Sequence, residues 1–208
     1  MSNLKYFVLA IVVMAMAACS PAQFPKKVSY TNHDKDPNIT RSEVTPIYID
    51  KDFGDQNRAD IIMSVRQLNV VFNGYKRVDV VNDHLDIGDK TLVQSILESR
   101  DAIIIVDIGD LDSTQAVEPG VLAFTDPETG VIFMLPLRVG SRDMVAILLH
   151  EEVHAFGGTP HINTFGSLLF PVYGQVGCVD ELTVRDLATT LSLTNGVFLD
   201  YRHFNWCE

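Results

Sequence analysis

Two histidines four residues apart, with a glutamate directly after the first, form the stretch of this chain best equipped for chemistry. In LLHEEVHAFGGTPH, residues 148–161, His150 and His154 are spaced about one helical turn apart. On a helix both imidazoles therefore leave the same face. Neutral imidazole is a good zinc ligand, and two rings at this spacing supply half of a tetrahedral site. Glu151, beside the first ring, is placed to act as a general base on water held at such a metal. Gly157 is expected to end the helix, in a backbone conformation that glycine adopts at little cost. His161 follows just past that bend, close enough to return as the third ligand. A His-Glu-x-x-His string also arises by chance on surface helices. Here it lies in an apolar run of Met144, Val145, Ile147, Leu148, Leu149, Val153 and Phe156, and a glycine and a further histidine follow it. That context favours the metal site.

The other chemically capable residues take plainer readings. Glu152 reads as a solvated charge on the helix face. His33, His84 and His203 lack ligand spacing and read as surface residues. Asp107, Asp110 and Asp112, around Gly109, have the oxygen chemistry for a structural calcium, although three acids in a loop are more often simply solvated.

The 208 residues carry a formal net charge of -11, with 27 acidic against 16 basic groups. Such a surface repels phosphate backbones, so no nucleic acid is expected as a partner. The first 18 residues read as a signal peptide: Lys5 supplies a positive start, and Tyr6 to Ala18 is apolar but too short for a permanent membrane span. That run ends in Met16-Ala17-Ala18-Cys19, which resembles a bacterial lipobox with Cys19 as the lipidated residue, tying the mature chain to a membrane. The alternative is ordinary secretory cleavage after Ala15-Met16-Ala17, leaving Cys19 a free thiol. Either route exports the protein. Of the remaining cysteines, Cys178 and Cys207 would form a disulfide in an oxidising compartment, worth about 3 kcal/mol; two separate buried thiols are the other option.

Residues 19–45 contain Pro21, Pro25, Lys26, Lys27 and Pro37 with little apolar periodicity, and read as a flexible tether. The folded domain is expected over 46–208. Ile47 and Ile49 alternate as in a strand, and Asp55 can cap a helix over 56–73 with Ile61, Ile62, Val65, Leu68 and Phe72 on one face. A strand around Val78 and Val80 and a short helix around Leu92 to Leu97 follow. Ala102 to Ile108 is a continuous apolar run, as in a strand buried on both faces. Val121 to Phe124 and Val131 to Leu137 flank a turn at 126–130, and Pro136 argues that the second of these is an edge strand. Ser141 can cap the histidine-bearing helix, and Thr183 opens a last helix with Leu187 and Leu191 inward. The order implies an α/β fold: a mixed, mostly parallel sheet with an antiparallel edge strand and backing helices. The metal should lie between an upper part, 46–157, and a smaller lower part, 158–208.

Three segments resemble one family, the metzincin zinc peptidases, and within it the matrixin-like group. They are HEEVHAFGGTPH from His150, SLLFPVYG from Ser167 to Gly174, and LTVRDLATTL from Leu182 to Leu191. The second is similar to the family's methionine-containing turn followed by the wall of its specificity pocket. The resemblance implies His150, His154 and His161 as ligands of one catalytic zinc and Glu151 as the general base. It also implies a substrate pocket from Leu169, Phe170, Pro171, Val172 and Tyr173, and a sheet edge, Val131 to Leu137, that pairs with extended peptide. Two positions depart from the pattern. The third histidine falls one residue late, with Pro160 at the usual place and Gly158 as an apparent insertion; a downstream carboxylate such as Glu181 is the rival ligand. Leu169 stands where the family has methionine, with similar volume.

The activity so implied is endopeptidase hydrolysis, with protein or peptide as substrate. The alternative is a non-catalytic zinc-containing surface lipoprotein that acts as a binding module, motivated by the same two departures.

Overall fold

Runs of β-branched residues build the centre of the molecule, because such side chains pack well on a pleated sheet buried on both faces. The computed structural model describes residues 44–72, 76–99, 101–109, 117–118, 120–126, 129–157, 161–162, 167–171, 183–184 and 187. In chain order these form β1 (Val44–Asp50), α1 (Asp55–Phe72), β2 (Arg77–Leu85), α2 (Lys90–Ser99), β3 (Ile103–Asp107), β4 (Ala123–Asp126), β5 (Val131–Met134), the short α3 (Pro136–Val139) and α4 (Met144–Gly157). The sheet order is β2-β1-β3-β5-β4. All neighbours are parallel except β4 and β5, so the fold is α/β with one antiparallel edge pair, as expected.

Alternation along the strands divides the core between the two sheet faces. Ile47, Ile49, Ile103, Ile105, Ile132 and Met134 pack against α1 and α4, together with Leu168 and Leu169 from beyond α4. Ile104, Val106, Val131 and Phe133 point the other way, where Ile96 of α2 covers them. Full burial of a leucine or isoleucine side chain is worth about 1.5–3 kcal/mol, so the double-sided β3 is a main source of stability. On α1, Ile61, Val65, Leu68 and Phe72 are buried along one stripe, as their spacing predicts.

The edge of the sheet is not where Pro136 suggests. β5 lies inside the sheet between β3 and β4, and the edge strand on this side is β4. The ladder stops at Met134, and Pro136 instead opens α3. There the missing amide hydrogen costs nothing, since the first turn of a helix has no acceptor for it. The β4–β5 turn depends on Gly130, whose φ is 70°; a Cβ there would lie 2.7 Å from the Ala102 carbonyl oxygen. Only glycine fits both constraints.

α4 is capped by Asp143 rather than Ser141: its Oδ1 accepts the Ala146 amide at 3.1 Å, and its carbonyl accepts the Ile147 amide. The α1 start is also shifted by one, with the Gly54 carbonyl accepting the Arg58 amide. Thr183, Val184 and Leu187 are helical and buried, in line with a last helix there. Leu191 lies outside the described residues, as do residues 1–43, Cys178 and Cys207. Among the described residues no helix is long and apolar enough to cross a membrane.

Candidate metal centre

The histidine spacing on α4 does what helical geometry requires. The His150 and His154 rings lie side by side, with their Nε2 atoms 3.1 Å apart. His161, from the segment after the helix, brings its Nε2 to 3.3 Å from that of His150. All three rings offer one nitrogen, and these nitrogens lie within 4.8 Å of one another. A tetrahedral ion with nitrogen ligands at about 2.0 to 2.1 Å separates adjacent donors by roughly 3.3 to 3.4 Å. The spacing of His150 to its two neighbours therefore fits a zinc-sized ion. Among the described residues, this is the group of three or more histidine, cysteine or acidic side chains that could hold a metal.

A turn contributed by the lower segment prepares the site. The His150 Nδ1 lies 2.6 Å from the Leu168 carbonyl oxygen. A carbonyl only accepts, so Nδ1 carries the hydrogen and Nε2 presents its lone pair to the centre. The next carbonyl, of Leu169, accepts the Ile162 amide at 3.0 Å and so holds the chain just after His161. The turn is stabilised by Ser167, whose hydroxyl accepts the Leu169 amide and pairs with Thr183. Two successive carbonyls thus orient one ligand and anchor the segment that carries another. Burial holds the His150 pKa below its ordinary value, and loss of water together with the His150 charge does the same for His161. Both shifts favour the neutral, ligating ring.

Glu151 is buried at the edge of this group, and its Oε2 accepts a hydrogen bond from the Thr125 hydroxyl at 2.7 Å. Removal from water raises its pKa to about 7, with the Thr125 hydrogen bond and the His161 charge opposing that rise. Thr125 sits on β4 opposite Ile132, which puts its side chain on the sheet face that packs α4. Nothing in the sequence singles out this threonine; only the β4–β5 register brings it to Glu151.

Glu152 departs from the solvated position that its place in the sequence suggests. It is fully buried rather than solvated, and its Oε1 lies 2.8 Å from the Ser64 hydroxyl of α1. α4 is enclosed by α1 on this side, so a position that reads as helix surface is interior.

The pocket residues are only partly described. Leu169 is fully buried in the core, Phe170 is half-buried and Pro171 exposed, whereas Val172 and Tyr173 lie outside the described residues, as does Glu181. Of the acids considered for calcium, Asp107 has an Oδ1 that accepts the Gly109 amide at 2.7 Å, and burial raises its pKa. Asp110 and Asp112 fall outside the described residues. His84 is exposed and paired with Asp83, as a surface histidine would be; His33 and His203 are outside.

Fold and site together define an α/β domain with a cluster of three histidines able to hold a metal ion. No protein-family model matches the chain, and no curated protein matches it either.

Proposed function

We propose that this chain is a zinc-dependent endopeptidase of metzincin, matrixin-like type. The observation that carries the reading is the convergence of one nitrogen each from His150, His154 and His161 within 4.8 Å of one another, beside the buried carboxyl of Glu151. When bound, zinc supplies a Lewis acid that polarises a carbonyl and lowers the pKa of water toward about 7. The three imidazoles hold and orient the site, and the Leu168 carbonyl fixes the ring of His150. Glu151 accepts the proton of the attacking water and returns it to the departing amine. Its carboxyl, buried beside the histidine cluster, is placed for both transfers.

The substrate is a protein or peptide, and Phe170 to Tyr173 wall the pocket for the residue after the cleaved bond, above a floor at the buried Leu169. The chain is exported and held to a bacterial membrane by a lipid on Cys19, facing periplasm or exterior. Loss of fatty-acid labelling in Cys19→Ala tests the anchor.

The decisive experiment for the activity is metal analysis of the purified protein, coupled to cleavage of a peptide library. One equivalent of zinc, with cleavage abolished in Glu151→Gln while zinc stays bound, is the expected result. Bound zinc without cleavage of any peptide would instead assign the chain to the class of non-catalytic binding modules.

A further inference from the structure

We propose that Thr125 is a positioning residue for Glu151, its hydroxyl bracing the carboxyl against α4 throughout proton transfer; this rests on the peptidase reading above. The Thr125 Oγ1 lies 2.7 Å from Glu151 Oε2 and 3.0 Å from the Glu151 main-chain carbonyl oxygen. Both acceptors belong to one residue, so the contact fixes the side chain relative to its own helix backbone. It also ties that residue to the edge strand, because Thr125 is held in register by β5.

A hydroxyl has one hydrogen and two lone pairs, and it rotates to suit its partners. Before proton transfer the hydrogen points at the Glu151 carboxylate. After the carboxyl has taken a proton from water, the hydroxyl turns its hydrogen to the Glu151 carbonyl and accepts from the new O–H. No proton enters or leaves Thr125, and the carboxyl keeps a partner at each stage. A hydroxyl with a single acceptor would lose its own hydrogen bond at the second stage. A buried carboxyl left without a partner would swing away or stay desolvated without compensation.

Thr125→Val keeps the β-branched shape and suits a strand, but removes the hydroxyl; Thr125→Ser restores it. The expected result is a kcat lowered by roughly tenfold to a hundredfold in Thr125→Val with KM little changed, and near-normal kcat in Thr125→Ser. Zinc content should be the same in all three proteins. A second readout uses metal-free protein: the infrared carboxyl band of Glu151, identified by its disappearance in Glu151→Gln, should shift in Thr125→Val only. An unchanged kcat in Thr125→Val, an unmoved infrared band, or loss of zinc in step with loss of activity would each overturn the inference while leaving the peptidase reading standing. Absence of turnover in the unsubstituted, zinc-loaded protein would overturn both.

Discussion

The Ser64 hydroxyl and the Glu152 carboxyl meet at 2.8 Å in the interior, joining α1 to the helix that carries the histidines. Ser64 also lies 2.8 Å from the Ile61 carbonyl, to which it can donate. A neutral Glu152 can then donate to Ser64, which makes the pair self-consistent without a buried charge. Burial accordingly pushes the Glu152 pKa up to about 8, only partly offset by Ser64.

This pair sets a pH dependence of stability. The unfolded carboxyl ionises near its ordinary value while the folded one keeps its proton until about pH 8. Folding is therefore opposed increasingly as pH rises from about 4.5 to 8, and the penalty is absent below that window. Glu151, raised to about 7, and Asp50, raised by burial to about 6, act in the same direction. Glu152→Gln should flatten the dependence and make the metal-free protein more stable than wild type at pH 8, by an amount on the order of a few kcal/mol. Urea denaturation at pH 5 and pH 8 measures it; parallel curves for the two proteins would refute the neutral-acid assignment.

The three histidines should act as one binding unit. Zinc at a hundredfold excess over its dissociation constant should stabilise the protein by about 2.7 kcal/mol, seen as a rise in Tm. His161→Ala should weaken zinc by more than about a hundredfold and remove that rise, since a true ligand outweighs the outer contacts usually worth 10–100-fold. Calorimetric titration gives the affinity directly. Unchanged affinity would mean that the His161 ring is a neighbour and not a ligand.

Leu169 links core packing to ligand orientation. It is fully buried, and its turn supplies both carbonyls that organise the site. Leu169→Ala should cost about 2–5 kcal/mol and weaken zinc binding as the turn loosens. Leu169→Met should cost less than about 1.5 kcal/mol and leave zinc affinity unchanged, because the volume is nearly conserved. Chemical denaturation with parallel zinc titration separates the two effects.

Gly130→Ala tests the turn that sets the β4 register. A side chain there meets the Ala102 carbonyl at 2.7 Å in a backbone conformation with φ at 70°. The substitution should destabilise the domain by more than about 1 kcal/mol, and by disturbing β4 it should also lower any activity that depends on Thr125.

Much of the fold is legible locally. The stripe on α1, the double-sided apolar run of β3 and the one-turn spacing of His150 and His154 each carry their structure in nearest-neighbour periodicity. Pro136 misleads because a proline two residues after a strand looks the same in sequence as one within it. Glu152 misleads because helical phase gives direction but not what lies in that direction.

Residue types and their spacing alone determined that a helix would present two imidazoles with a carboxyl between them, and that a third imidazole would follow a bend. Intrinsic backbone preferences and apolar periodicity act over a few residues, so that much needs no knowledge of the rest of the chain. Whether the third ring would return, which carbonyl would orient His150, and which hydroxyls would meet Glu151 and Glu152 were decided only by tertiary structure. Those contacts join residues 11, 18, 26 and 88 positions apart. They exist because sheet register and helix packing, rather than any local signal, bring the partners within hydrogen-bonding distance.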